Sequence, residues 1–213
     1  QQDVFSAPGA TGLNYCFDNL PVGNEYLVKA ALLPESPYYA NYLPTYSVNS
    51  LTWIDANPIV LGDFIPNYAQ IQLVEGINPG GAGFIGGNIS DGAGKTESTG
   101  LAGIEVILYN ATHQAVAVTY TNADGNYSFA NLAYGTYYVA VEVLNHTSDE
   151  ITVVLSGSNA SSVANSFVDA GDTFEAQASS VQANTVLLNS LSIMPNIANT
   201  NSVVIIRSSK NTI

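Results

Sequence analysis

Cations are scarce in this chain of 213 residues. Lys29, Lys95, Arg207 and Lys210 are the four, against 17 Asp and Glu, and the formal net charge is −13. Nucleic-acid binding needs a basic footprint, and none can be assembled from these side chains. The same deficit argues against docking on anionic lipid. Acidity by itself names no partner; it keeps the chain soluble and self-repelling. Charged residues of both signs make up only 10%, against about a quarter in ordinary domains. Ser, Thr, Asn, Gln, Tyr and Gly must therefore cover the surface, which suits an extracellular protein, a glycosylated one, or one buried in an assembly. Cysteine occurs once, as Cys16, so no internal disulfide forms. It falls between Tyr15 and Phe17, on the opposite face of an expected strand. A buried small hydrophobe is the ordinary reading, with a reactive thiol or intermolecular bridge as the alternative. No apolar run reaches the ~18 residues of a membrane span, and no signal peptide is read. Gln1 fits either a processed terminus or an arbitrary boundary.

Hydrophobic residues are 46% of the chain, enough for packed cores. Their spacing is almost never helical. It alternates with period two and is rich in Val, Ile, Tyr, Phe and Thr. One motif occurs twice. The first copy runs Asn14-Tyr15-x-Phe17-x-Asn19-Leu20-x-x-Gly23, then Tyr26-x-Val28. The second runs Asn126-Tyr127-x-Phe129-x-Asn131-Leu132-x-x-Gly135, then Tyr137-x-Val139. The 43 residues 83–125 lead into the second copy as strand-like sequence, whereas 13 residues precede the first. The first module therefore reads as a β-sandwich without its opening strands.

The second module alternates through Ile104, Val106 and Leu108, turns at 110–114, and continues through Val116, Val118 and Tyr120. Asn122-Ala123-Asp124-Gly125 is a hairpin signal, because Asp-Gly accepts positive φ. Tyr127 and Phe129, then Tyr137 to Val143, then Ile151, Val153 and Leu155 follow. Short strands between regular turns imply an antiparallel sandwich. The first module is expected to carry strands through Tyr26–Leu32, Ile59–Leu61 and Ile71–Leu73. Pro79, Gly80, Gly81 and Gly83 mark the linker. The tail holds two apolar strands, Val186–Met194 and Val203–Ile206. At 33 residues from Val181, it is similar in size to what the first module lacks.

Around 83–155 the chain resembles the B-type repeats of bacterial surface adhesins and the carboxypeptidase regulatory-like domains, both transthyretin-like sandwiches. The residues carrying this are Gly83-Phe84-Ile85, Gly94-Lys95, Gly100-Leu101-x-Gly103-x-Glu105-Val106-x-Leu108, Asn122-x-Asp124-Gly125-x-Tyr127-x-Phe129 and Leu132 to Tyr137. Tyr42-Leu43-Pro44-Thr45-Tyr46 with Trp53-x-x-Ala56 looks like a segment found beside such repeats in secreted proteins of type IX secretion bacteria. Leu191 to Ala198 looks like the start of a type IX sorting domain, with Met194 and Ile197 replacing the usual Tyr and final Pro of Tyr-Pro-Asn-Pro. The resemblance implies an exported, non-catalytic stalk, spacer, adhesive or assembling element.

Chemistry is thinly provided. A nucleophilic triad needs Ser or Cys beside His and a carboxylate, but His113 and His146 both fall at turns and no Gly-x-Ser-x-Gly elbow occurs. The carboxylate pairs Asp149-Glu150 and Asp169/Asp172 read as solvated turns rather than glycosidase residues. No cofactor is expected. Some adhesin B repeats bind calcium in the loop after the first strand, where this chain offers Asn88, Asp91 and Glu97; two carboxylates are few for that ion. Such repeats also carry Lys–Asn isopeptide crosslinks, which need a buried Lys beside a carboxylate; Lys95 lies in a Gly turn and Lys29 on an expected strand face. Sequons at Asn88, Asn110, Asn126, Asn145 and Asn159 are candidate glycosylation sites. Tyr38, Tyr39, Tyr42, Tyr46 and Trp53 break the core alternation and read as a packed loop, a protein interface or a glycan-binding face.

The expected fold is all-β: two tandem immunoglobulin-like or transthyretin-like antiparallel sandwiches, the first (1–78) incomplete, the second (79–180) complete, and a C-terminal strand tail (181–213). A sandwich lacking strands exposes its core and unpaired backbone, and an added strand supplies both. The expected function is a non-enzymatic extracellular structural subunit, polymerising with copies of itself. Val186, Leu188, Leu191, Ile193, Val203 and Ile205 would be the donated side chains. Fold-back of the tail into its own module is the competing path. A monomeric adhesive or carbohydrate-binding module of a larger secreted protein is the alternative function. Nucleic acid and membrane insertion are not expected; glycans are candidate partners.

Overall fold

A computed structural model describes residues 17, 19–61, 69–92 and 98–177, all within one compact unit, Gln1–Ala178. Regular structure among them is all β apart from one three-residue 3-10 turn, Ser47–Asn49. The expected fold class holds.

The N-terminal segment, residues 17–78, carries six strands of two residues each: β1 (Glu25–Tyr26), β2 (Lys29–Ala30), β3 (Tyr42–Leu43), β4 (Thr45–Tyr46), β5 (Ile59–Val60) and β6 (Val74–Glu75). They pair as β1–β5, β2–β4 and β3–β6, all antiparallel. The expected run Tyr26–Leu32 is thus divided between two partners, and the Val28 carbonyl between them accepts the Ser47 N–H. The expected strand Ile71–Leu73 starts later, at Val74. Its donors are taken locally: Gln72 N–H by Asn49 Oδ1 and Val74 N–H by Thr45 Oγ1. Side-chain acceptors have replaced a ladder.

The sandwich begins at β7 (Gly83–Ser90). It continues with β8 (Glu105–Asn110), β9 (Ala115–Tyr120), β10 (Asn126–Leu132), β11 (Gly135–Glu142) and β12 (Thr147–Ser148). The last four are β13 (Ile151–Leu155), β14 (Ser161–Ser162), β15 (Ser166–Asp169) and β16 (Thr173–Gln177). One sheet has the order β13-β11-β8-β9. The other runs β10-β7-β15-β16-β12, with β14 also on β7. Alternation does what the sequence implies. Val106 and Leu108, Tyr127 and Phe129, Val139 and Val141, Val153 and Leu155 turn inward and meet Ile85, Ile89, Phe167 and Phe174 in one core.

The Asn122–Gly125 turn forms with Gly125 at φ +78°, but it is not a hairpin. β9 and β10 belong to different sheets, so the turn is a corner between layers. Positive φ permits a tight reversal; it does not choose the partner of the outgoing strand.

The motif duplication is real at the level of backbone. Asn19 and Asn131, at matching positions, both take left-handed φ, +60° and +56°. The Tyr26 hydroxyl donates to the Pro21 carbonyl at 2.8 Å, and the Tyr137 hydroxyl donates to the Ala133 carbonyl, again at 2.8 Å. In the second copy the motif's strand, β10, lies against β7. Nothing in the described part of the first copy corresponds to β7.

Candidate functional site

The outward face of the four-stranded sheet holds the most unusual chemistry among the described residues. Glu105, Ile107 and Tyr109 on β8, and Tyr138, Ala140 and Glu142 on β11, point away from the core. Outward positions should be wet, yet Ile107 is 1% exposed, Glu142 7% and Glu105 8%. The N-terminal segment reaches this face at Glu105 and Glu142.

Register makes the carboxylates a problem. Glu142 is directly opposite Glu105, and Glu105 is directly opposite Tyr120. Like charges across an antiparallel pair repel, and burial removes the water that would screen them. Lys29, on β2, resolves this. Its Nζ donates to both Glu105 oxygens at 2.9 and 2.8 Å and lies 4.6 Å from the centre of the Tyr46 ring. The Tyr120 hydroxyl donates to Glu105 Oε2 at 3.1 Å. The Trp53 N–H donates to Glu142 Oε1 at 2.9 Å, and the Trp53 indole N–H donates to the His146 carbonyl at 2.8 Å.

These surroundings move the ionisable groups. Burial raises the Glu142 pKa, and Glu105 adds to that; the Trp53 N–H, Lys29 and Tyr46 act the other way. Burial and then the neighbouring carboxylates push the Tyr46 and Tyr109 hydroxyls up, as burial and Glu105 do for Tyr120. All three stay neutral hydroxyls. The arrangement is a fastener: one ammonium and several O–H and N–H donors hold two buried carboxylates, and the donors come largely from the N-terminal segment. Sequence reading treated Lys29 as an expected strand residue, named Glu105 only for the family resemblance, and did not single out Glu142. The signal available was a pair of acids in otherwise apolar strands, in a chain with four cations.

The aromatic group read from the sequence is divided. Tyr38 and Tyr42 meet edge to face at 6.5 Å, and Tyr39 is exposed. Tyr46 is buried over Lys29, and Trp53 turns to His146. Two open clefts of about 370 and 380 Å³ flank the 3-10 turn; the first is lined by Tyr42, Asn49 and Gln72, the second by Val48, Pro58 and Ile59.

His113 stacks on Tyr138 at 4.2 Å and meets Glu150 at 3.3 Å, and His146 Nδ1 lies 3.2 Å from the Leu144 carbonyl. Asp149 Oδ2 accepts the Ala176 N–H and Asp169 Oδ1 the Gly171 N–H. Asn88 donates to the Asp124 carbonyl and to Asn126 Oδ1, and Asp91 Oδ1 accepts the Thr99 N–H at 2.8 Å. Glu97 lies outside the described residues. Among those residues no group of three or more His, Cys, Asp or Glu is arranged to hold a metal ion. No described helix is long and apolar enough to cross a membrane. Of the sequons, Asn126, Asn145 and Asn159 are exposed, while Asn88 and Asn110 are partly buried. The donor positions Val186, Leu188, Leu191, Ile193, Val203 and Ile205, and the run Leu191 to Ala198, lie outside the described residues.

Comparison with known proteins finds a family likeness for the sandwich. Residues 87–189 match the model of the SdrD B-like domain. No curated protein sequence matches the chain significantly. Among solved structures, the chain is similar to 5-hydroxyisourate hydrolase of Klebsiella pneumoniae, with 20% identity and TM-score 0.35 over 46% of this chain and 94% of that one. It is also similar to BcpA, the major pilin subunit of Bacillus cereus, with 17% identity and TM-score 0.34 over 76% of this chain and 41% of that one. A third is the pilus 2b backbone protein of group B streptococcus, with 20% identity and TM-score 0.32 over 73% and 54%. The chain thus spans about half or less of either pilus protein. The adhesin B-type resemblance read from the sequence holds for the sandwich, where residues 87–189 match the SdrD B-like domain model.

Proposed function

We propose that the chain is a non-enzymatic, extracellular structural subunit of a filament or surface appendage. Its C-terminal strands, Val186–Met194 and Val203–Ile206, complete the incomplete first module of a neighbouring copy. The observation that carries this is where apolar surface is left uncovered. The packed core draws all of its residues from the sandwich, between Ile85 and Phe174. Among the described residues the N-terminal segment adds none to this cluster, and its buried apolar residues are Leu43, Tyr46 and Ala56. It nevertheless holds eight of the thirteen large hydrophobics that are exposed among the described residues, from Val22 and Leu33 to Val60 and Ile77. Its three sheets have two strands each, and a lone two-stranded pair is marginal in water. Added strands would supply both backbone partners and apolar cover. A head-to-tail contact of this type propagates into an open filament unless it closes as a ring.

The adhesin B-like domain and the charge-poor surface support an exported, assembling role and give no catalytic constellation to set against it. On this reading the division near residue 79 separates an acceptor module from a load-bearing sandwich. Glycans would sit on the exposed sequons Asn126, Asn145 and Asn159. Deletion of 181–213 is expected to leave particles of monomer size by negative-stain imaging where the intact chain forms filaments. Filaments of unchanged length after deletion would refute tail donation.

A further inference from the structure

We infer that β13 is a second acceptor, an open sheet edge that takes Val203–Ile206 of a neighbouring copy in antiparallel register. This rests on tail donation and revises it in one respect: Val203–Ile206 goes to the sandwich of the neighbouring copy, and Val186–Met194 alone completes the first module.

The sandwich has four edges, and three are blunted. β12 is only two residues long. β10 is broken by a register shift between Phe129 and Leu132. β9 is irregular against Leu108/Tyr109, and the Ile77 N–H caps it at the Ala115 carbonyl. Short strands, bulges and covering chain are the ordinary protections against edge pairing. Among the described residues β13 is neither as short as two residues nor bulged, and its cap is the Asn159 side chain on the Val154 carbonyl, which an incoming strand displaces. Its five residues pair with β11 without interruption, from Ile151 to Leu155. It contains no Pro or Lys. The Val154 carbonyl accepts Asn159 Nδ2 at 3.2 Å, so the backbone groups of Val154, and of Thr152 two residues before, point away from β11. Both side chains are exposed, Val154 to 57%.

The occupant follows from charge and spacing. All 17 carboxylates lie in residues 1–177, whereas residues 178–213 carry none and hold Arg207 and Lys210. Asp149 and Glu150 immediately precede β13, and Arg207 immediately follows Val203–Ile206. Antiparallel pairing with Ile206 opposite Ile151 sets Ile205 against Thr152, Val203 against Val154, and Arg207 against Glu150. By the period-two rule all three pairs share the outward face, where Glu150 already meets His113. Hydrophobic pairing and the ion pair thus agree on one register. The 25 residues 178–202 can span ~80 Å when extended at ~3.3 Å each, enough to reach a neighbouring copy.

The test uses full-length chains in a Cys16→Ser background. Thr152→Cys and Ile205→Cys chains are mixed and treated with a short thiol crosslinker. A heterodimer is expected, and it should be lost when Val204→Cys, on the opposite face, replaces Ile205→Cys. Arg207→Glu should reduce the product several-fold, and Glu150→Arg in the partner chain should restore it; both sites are peripheral to the core. No heterodimer, equal crosslinking through Val204→Cys, or linkage only within one chain would overturn the assignment. Filaments that need residues 181–213 yet give no such crosslink would leave tail donation intact and remove β13 as an acceptor.

Discussion

Lys29 concentrates the account at the scale of single residues. Removing it leaves Glu105 and Glu142 facing each other with no cation beside them. A fully buried pair costs ~3–5 kcal/mol to break; the Lys29 side chain is 25% exposed, so about 2–3 kcal/mol is expected for Lys29→Met. Trp53 is the single tryptophan and is bonded across the same contact, so its fluorescence reports release of the N-terminal segment. In Lys29→Met that transition should fall at lower urea, and Glu142→Gln should recover part of the loss by removing the repulsion. The pH dependence has a definite sign. The Glu142 pKa is raised in the folded chain, chiefly by burial, so the folded state holds this proton more tightly than the unfolded one. Its contribution is fully present below the ordinary value of 4.5 and is lost as pH rises through the raised value. Glu142→Gln should flatten the urea midpoint across that window; an unchanged slope would show that Glu142 does not titrate there. None of this was legible in the sequence, because it depends on which strands become neighbours. The matched Asn19 and Asn131, and the matched tyrosine bonds of Tyr26 and Tyr137, were legible as a repeat.

At the scale of elements, the sandwich was readable because alternation there is dense: Val106, Leu108, Val139, Val141 and Val153 could face only one core. The N-terminal elements were less so. Ile71–Leu73 has the composition of a strand, but its neighbours Asn49 and Thr45 supply side-chain acceptors that end the ladder at Val74. The corner at Asn122–Gly125 shows the same limit, since a turn signal does not specify pairing. It also gives a discriminating prediction. Gly125 and Gly103 both have positive φ, +78° and +73°. A Cβ at Gly103 meets open space, whereas one at Gly125 would lie 2.7 Å from the Gly100 Cα and overlap the Ile89 carbonyl. Gly103→Ala should cost about 1 kcal/mol from backbone strain alone. Gly125→Ala adds steric overlap and should cost at least ~3 kcal/mol. Thermal unfolding of the two variants compares them directly; equal losses would contradict the close packing of this corner.

At the scale of the molecule, the chain joins a well-packed adhesin B-like sandwich to a segment that exposes its hydrophobic residues and forms only short strand pairs. The duplicated motif, with unequal lengths of chain ahead of its two copies, was legible before any coordinates. The fastening of that segment to the outward sheet face was not, since it joins Lys29 to Glu105 and Trp53 to Glu142 across long stretches of chain. On the proposed function the two fit one design: the fastener would orient an acceptor on the sandwich, and the remaining apolar surface would take strands from a neighbour. Amide hydrogen exchange tests this most directly. Tail-deleted protein would be measured with and without a synthetic peptide spanning 181–213. The account predicts that the peptide slows exchange in residues 17–78, at β1 to β6. Unchanged exchange there at saturating peptide would contradict it.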